Sequence, residues 1–222
     1  DVASDQRDRE AFQEVDYRAC FGAFGMAKRV ERVDSAERLP EYVARAFATA
    51  LNGRPGPVVL ALPEDMLTQA VPDDLKPLPR WAPPAYQPDP QGMQRLRELL
   101  LKAKQPLVIA GGSGWTPAAA RDLQAFAEAG QLPVGTAMRF QDSFDNHHPL
   151  YAGDVGIAIN PRLAQRVKDA DLILALGPRL DEMTTSGYTL LDVPRPKQRL
   201  IHVHPSAEEL GRVYQPELAL CA

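Results

Sequence analysis

Residues 106–116, Pro-Leu-Val-Ile-Ala-Gly-Gly-Ser-Gly-Trp-Thr, run directly into Pro117 and an alanine-rich segment, and they constrain the fold more than any other stretch. Residues 107–110 form an uninterrupted apolar run, the pattern of a parallel strand covered on both faces. Gly111, Gly112 and Gly114 let the backbone turn tightly and come close to a ligand. Thr116 suits the cap of a following helix, and Pro117 its first turn, where no N–H is needed. The helix start then offers free amides and a partial positive charge, a seat for phosphate. Pro117 stands where G-x-G-x-x-G has its third glycine, so ligand binding and simple packing both stay open here.

The same alternation continues along the chain. Helices are expected over 91–103, 117–129 and 161–169. Strands are expected over 107–110, 133–137, 171–177, 199–205 and 217–222. This order implies an α/β fold built on a parallel sheet, whose ligands lie beyond the carboxyl ends of the strands. The candidate positions are the loops after Ala110, Ala137, Leu176 and Val203. Before this part, a short helix over 10–16, a strand over 28–33, a helix capped by Asp34 or Ser35, and a strand over 58–62 are expected. Leu39, Val43, Phe47 and Leu51 share one helical stripe, the pattern of a core-facing helix. Two strands are too few for an independent sheet, so this part is expected to complete a sheet begun elsewhere. Between the two parts, 71–90 holds Pro72, Pro77, Pro79, Pro83, Pro84, Pro88 and Pro90. Such density favours an extended, semi-rigid linker. The expected organisation is therefore 1–70, a linker at 71–90, and 91–222. The polar opening without a leading strand adds to the expectation of a fragment.

Composition narrows the function classes. With 45% hydrophobic and 24% charged residues, the 222-residue chain has the balance of a soluble globular protein. A net charge of −4 gives no broad attraction to nucleic acid or to an anionic membrane. No apolar run approaches the roughly 20 residues that span a bilayer. Cys20 and Cys221 form no CxxC motif and read as reduced thiols of a cytoplasmic protein. His202 and His204 share a strand face and His147-His148 lies in a loop, but no recognised metal-ligand spacing joins them.

Ala11-Phe12-Gln13-Glu14-Val15-Asp16, followed by residues 53–65 (GRPGPVVLALPED), resembles the end of the pyrimidine-binding domain of thiamine-diphosphate enzymes. The acetolactate synthase-like group is the nearest. Ala110-Gly111-Gly112, residues 169–181 (DADLILALGPRLD) and Ile201-His202-Val203-His204-Pro205 resemble that family's central domain, a Rossmann-like, DHS-like NAD/FAD-binding type. The resemblance covers nearly the whole chain in the family's order. It implies a three-domain parent acting on a small-molecule 2-keto acid as carboligase or decarboxylase, with thiamine diphosphate and Mg²⁺, assembled as a homo-oligomer. The cofactor-activating glutamate and the diphosphate and Mg²⁺ motif belong to other parts of the family's chains, so these 222 residues alone are expected to be inactive. A stand-alone FAD/NAD-binding module and a non-catalytic domain that has lost its ligand are the alternatives.

The resemblance also implies site residues. Phe12 and Gln13 match positions lining the route to the thiamine ring. Gly111, Gly112 and Ser113 match a flavin-contacting turn, Thr136, Ala137 and Met138 a second strand end, and Gly177, Arg179 and Asp181 a third. The chain departs from the family at 139–141, at Met183 and at His204, where an acidic residue would accept hydrogen bonds from ribose. FAD and an empty or remodelled site both stand as expectations.

Overall fold

The computed structural model describes residues 1–82, 84 and 86–222, which leaves Pro83 of the proline-rich segment outside the described residues. The chain divides into two compact units, Asp1–Ala85 and Tyr86–Ala222.

The first unit contains α1 (Tyr17–Gly22), β1 (Arg29–Arg32), α2 (Leu39–Leu51) and β2 (Val58–Ala61). β1 and β2 pair in parallel, Arg29 opposite Val58 and Arg32 opposite Ala61, and make a two-stranded sheet among the described residues. The helix expected over 10–16 is instead a turn. Glu10 and Gln13 adopt left-handed φ values of 55° and 67°. The Glu14 carboxylate accepts the amides of Asp8 at 2.7 Å and Ala11 at 3.2 Å, which removes the donors that helical pairing needs. Helix formation waits for Asp16, whose Oδ1 accepts the Ala19 amide at 3.0 Å and caps α1.

α2 also starts later than its expected caps. Arg38 occupies the cap position and Pro40 lies in the first turn. Asp34 is drawn away, because its Oδ1 accepts the buried Tyr42 hydroxyl at 2.6 Å. Arg38 and Arg45 place their guanidinium carbons 5.2 and 4.9 Å from the Tyr42 ring centre. The stripe expected to face the core is largely uncovered, with Phe47 at 59% exposure. Two short strands present too little surface to cover a whole helix face. Leu39, Val43 and Phe47 line an apolar groove of about 740 Å³ with Met66, Leu78 and Trp81. Residues 71–81 thus lie along α2 rather than reaching freely away from it.

The second unit contains α3 (Pro90–Lys102), β3 (Pro106–Ala110), α4 (Pro117–Gly130), β4 (Val134–Ala137), β5 (Tyr151–Val155), α5 (Pro161–Asp169), β6 (Leu172–Leu176), β7 (Arg199–His204) and β8 (Leu218–Cys221). All six strands run parallel in the order β5-β4-β3-β6-β7-β8. Thr116 caps α4 as expected, and Asp89 and Asn160 likewise accept amides of the first turns of α3 and α5. β5 was not anticipated. Its Tyr-Ala-Gly-Asp-Val sequence lacks a continuous apolar run, and Gly153 takes a φ of 117° beside a register shift in β4.

Both faces of the central strands are apolar, and alternate residues feed two cores. Val108, Ala110, Leu172 and Leu174 pack with Leu99 of α3 and Leu123 and Ala127 of α4. Leu107, Ile109, Ile173 and Ala175 pack with Leu163 and Val167 of α5 and with Leu190 and Leu191. The result is a three-layer sandwich. Asp171 joins β6 to the turn before β3. Burial disfavours its charge, but Oδ2 accepts the Lys104 amide at 2.6 Å and Oδ1 the Gln105 amide at 2.9 Å, which leaves the carboxyl below its ordinary value.

Candidate functional site

The strand order places a switch point between β3 and β6. From β3 the chain winds outward through β4 and β5, then returns to β6 and winds the other way. In open α/β sheets the ligand crevice lies outside the carboxyl ends at this place. Here the turn after β3, Gly111 to Ser113, meets the turn after β6, Gly177 to Arg179. The Gly111 amide donates to Leu176 O at 3.1 Å, and the Gly177 amide to Val203 O at 2.9 Å.

Two backbones occupy each other's side-chain space at this joint. Gly112 has φ 83°, and a Cβ there would fall on the Gly177 carbonyl. Gly177 has φ 82°, and its Cβ would fall on Gly111 O. Gly111 itself faces Ala137, Pro178 and Phe140. Trp115 folds back over the joint, its indole Nε1 donating to Gly111 O at 2.7 Å. Nothing in the sequence signalled that bond.

The structure gathers the expected residues at one end of the sheet but engages most of them internally. Ser113 is exposed at the tip of the β3 turn, and Met138 is half-buried at the end of β4. Thr136 is fully buried, with its hydroxyl 3.1 Å from the Tyr151 hydroxyl. Ala137 is buried against Gly111. Arg179 Nε donates to Glu209 Oε2 at 3.2 Å, and Glu209 also pairs with Arg212. Asp181 Oδ1 accepts the Thr184 amide at 3.0 Å. His204 is buried, and its Nδ1 lies 3.0 Å from the Ser206 amide that donates to it. Arg179 and Asp181 line one small cavity at the ends of β6 and β7, while Thr136, Ala137 and His204 are buried, so the positions that the resemblance assigned to FAD do not form one open FAD-sized crevice. In the first unit, Phe12 (90% exposed) and Gln13 sit outward on the left-handed turn that Glu14 holds.

His202 adds a buried titratable group beside the crevice. Its Nε2 lies 2.9 Å from Pro178 O, so that nitrogen carries the proton and donates. Burial lowers its pKa from the ordinary 6.5, and the neighbouring His204 adds to this; the bond to Pro178 and the nearby Glu209 oppose it. The folded state therefore favours neutral imidazole. Stability is expected to be full above pH 6.5 and to fall as pH drops through the lowered folded value, because the unfolded chain binds the proton more tightly. Thermal melts of the native chain and of His202→Gln between pH 7.5 and 5 check this. The native midpoint should fall more steeply with acid than the variant's. Among the described residues no group of three or more His, Cys, Asp or Glu gathers as a metal site, and no helix is long and apolar enough to cross a membrane.

The family described as "Thiamine pyrophosphate enzyme, central domain" matches residues 93–222, which spans the six-stranded sheet. Over almost its full length the chain is 32% identical to the acetolactate synthase isozyme 1 large subunit of Escherichia coli (strain K12), covering 96% of this chain and 37% of that protein. It is 30% identical to glyoxylate carboligase of Escherichia coli O157:H7, covering 96% and 35%. It is 27% identical to a probable acetolactate synthase large subunit of Methanocaldococcus jannaschii, covering 95% and 36%. The chain thus spans about a third of the length of the curated relatives it matches. The parallel sheet, its switch-point turns and these matches agree: the chain belongs to the thiamine pyrophosphate enzyme family, with that family's central domain at residues 93–222.

Proposed function

We propose that these residues belong to a thiamine-diphosphate-dependent carboligase or decarboxylase acting on a small 2-keto acid, and that they comprise the end of its pyrimidine-binding domain and its central domain. The observation that carries this is the match along nearly the whole chain, through both units, to an acetolactate synthase large subunit and a glyoxylate carboligase about three times as long. In that enzyme thiamine diphosphate, held with Mg²⁺, supplies the carbanion-stabilising chemistry. This chain's share is support and positioning. Phe12 and Gln13 stand outward on a carboxylate-braced turn, in the attitude of groups that meet another domain or subunit of a homo-oligomer. The Gln13 amide offers both a donor and an acceptor to a bound keto acid.

The 222 residues on their own are expected to release no CO₂ from pyruvate or glyoxylate with thiamine diphosphate and Mg²⁺, whereas the full-length enzyme turns over. In that enzyme Gln13→Ala should lower kcat/KM by about 10-fold, the loss of roughly one hydrogen bond to substrate. Turnover by the isolated 222 residues, or unaltered kinetics of the variant, would count against the assignment.

A further inference from the structure

We infer that the switch-point crevice of this protein is closed to flavin dinucleotides by the chain's own residues and serves as a packed joint between β3 and β6. This rests on the family reading above for where a flavin would lie, and on the geometry for why it is excluded. At the β3 turn, the space that glycines leave for a ligand's phosphates is taken by protein. Gly112 lies against the Gly177 carbonyl, and Gly177 against Gly111 O. The Trp115 indole spans the same place through its bond to Gly111 O.

Several polar groups around the crevice are also engaged within the protein, although the buried Tyr214 hydroxyl makes no hydrogen bond among the described residues. Arg179, a cation that could meet a phosphate, has its Nε paired with Glu209, whose side chain is only 8% exposed. The Asp181 carboxylate holds the Thr184 amide. His204 stands where ribose recognition calls for an acid, and its Nδ1 accepts from Ser206 N. That leaves no lone pair on Nδ1 for a ribose hydroxyl. The cavity at the ends of β6 and β7, lined by Arg179, Asp181, His202, Glu209 and Tyr214, measures about 100 Å³. Pockets for ligands of drug size are about 300–1,000 Å³, so a cavity of this size is too small for an adenosine.

The test uses the full-length protein with FAD and ADP as probes. It is expected to purify without flavin absorbance, to leave FAD fluorescence unchanged, and to show no rise in melting midpoint with either nucleotide, since only a ligand of the native state raises it. Arg179→Ala should lower the midpoint by the same amount with and without FAD. Flavin near one per chain, or an FAD-induced rise in midpoint that Arg179→Ala abolishes, would overturn the inference. Thiamine-dependent turnover is scored separately. Turnover without added FAD supports a closed crevice, and turnover that requires FAD refutes it. Absence of turnover with every keto acid bears on the proposed function and leaves the binding result standing.

Discussion

Gly112→Ala is expected to destabilise the second unit by about 3–5 kcal/mol, while Gly114→Ala, two residues on, costs about 1–2 kcal/mol. Both positions have positive φ, 83° and 99°, so both variants carry the backbone strain of a side chain in the left-handed region. They differ in what the new methyl meets. At Gly114 a Cβ finds nothing within 4 Å. At Gly112 it lands on the carbonyl of Gly177, a backbone atom in the turn directly after the central strand β6 that cannot swing aside as a flexible side chain does. Denaturant unfolding of the two variants against the parent measures the contrast. Equal midpoints for both would show that the β3 turn yields freely and that the joint is not a rigid contact.

The second large effect concerns the two units taken apart. Residues 86–222 alone are expected to unfold in one cooperative transition, and residues 1–85 alone to show none. In the second unit Leu107, Val108, Leu172, Ile173 and Ile201 are essentially inaccessible, and each buried side chain of this kind contributes about 1.5–3 kcal/mol. Among its described residues the first unit buries four side chains of this hydrophobic class, Val33, Ala36, Tyr42 and Ala61. Four such residues do not offset about 1–2 kcal/mol of backbone entropy for each residue ordered. Its two parallel four-residue strands give no independent sheet, and parallel sheets are stable when covered on both faces. Circular dichroism melts of the two pieces decide the matter. A sharp transition from residues 1–85 would mean that this unit is self-sufficient, and the reading of it as part of a larger sheet would fail.

What the sequence disclosed follows from where each element's information lies. β3 and β6 were legible because strands covered on both faces write continuous apolar runs, Leu-Val-Ile-Ala and Leu-Ile-Leu-Ala-Leu. The helix that follows Thr116 was legible in outline because a capping side chain acts within three residues. β5 was not, since an edge strand carrying Gly153 and Asp154 shows no periodicity. The turn over 10–16 was misread as helix because the spacing of polar residues does not say which amides the Glu14 carboxylate will take. The site shows the same division. Its place, at strand ends around the Gly-rich turn, follows from the α/β pattern. Its closure does not, because it depends on Trp115 folding back onto Gly111 and on Arg179 meeting Glu209, 30 residues further on.

The strand order has a consequence for how the molecule is made. β3 and β6 lie side by side at the centre, yet adjoining residues such as Gln105 and Asp171 are 66 positions apart. At typical synthesis speeds the ribosome needs about 3–13 s to deliver the second of these strands after the first. In that interval the backbone N–H and C=O groups of β3 on the side that β6 will cover have no strand to pair with, and its apolar side chains lack that neighbour. The nascent chain therefore passes through a stage that is sticky by construction, and it is relieved only when Leu172–Leu176 arrives to close the middle.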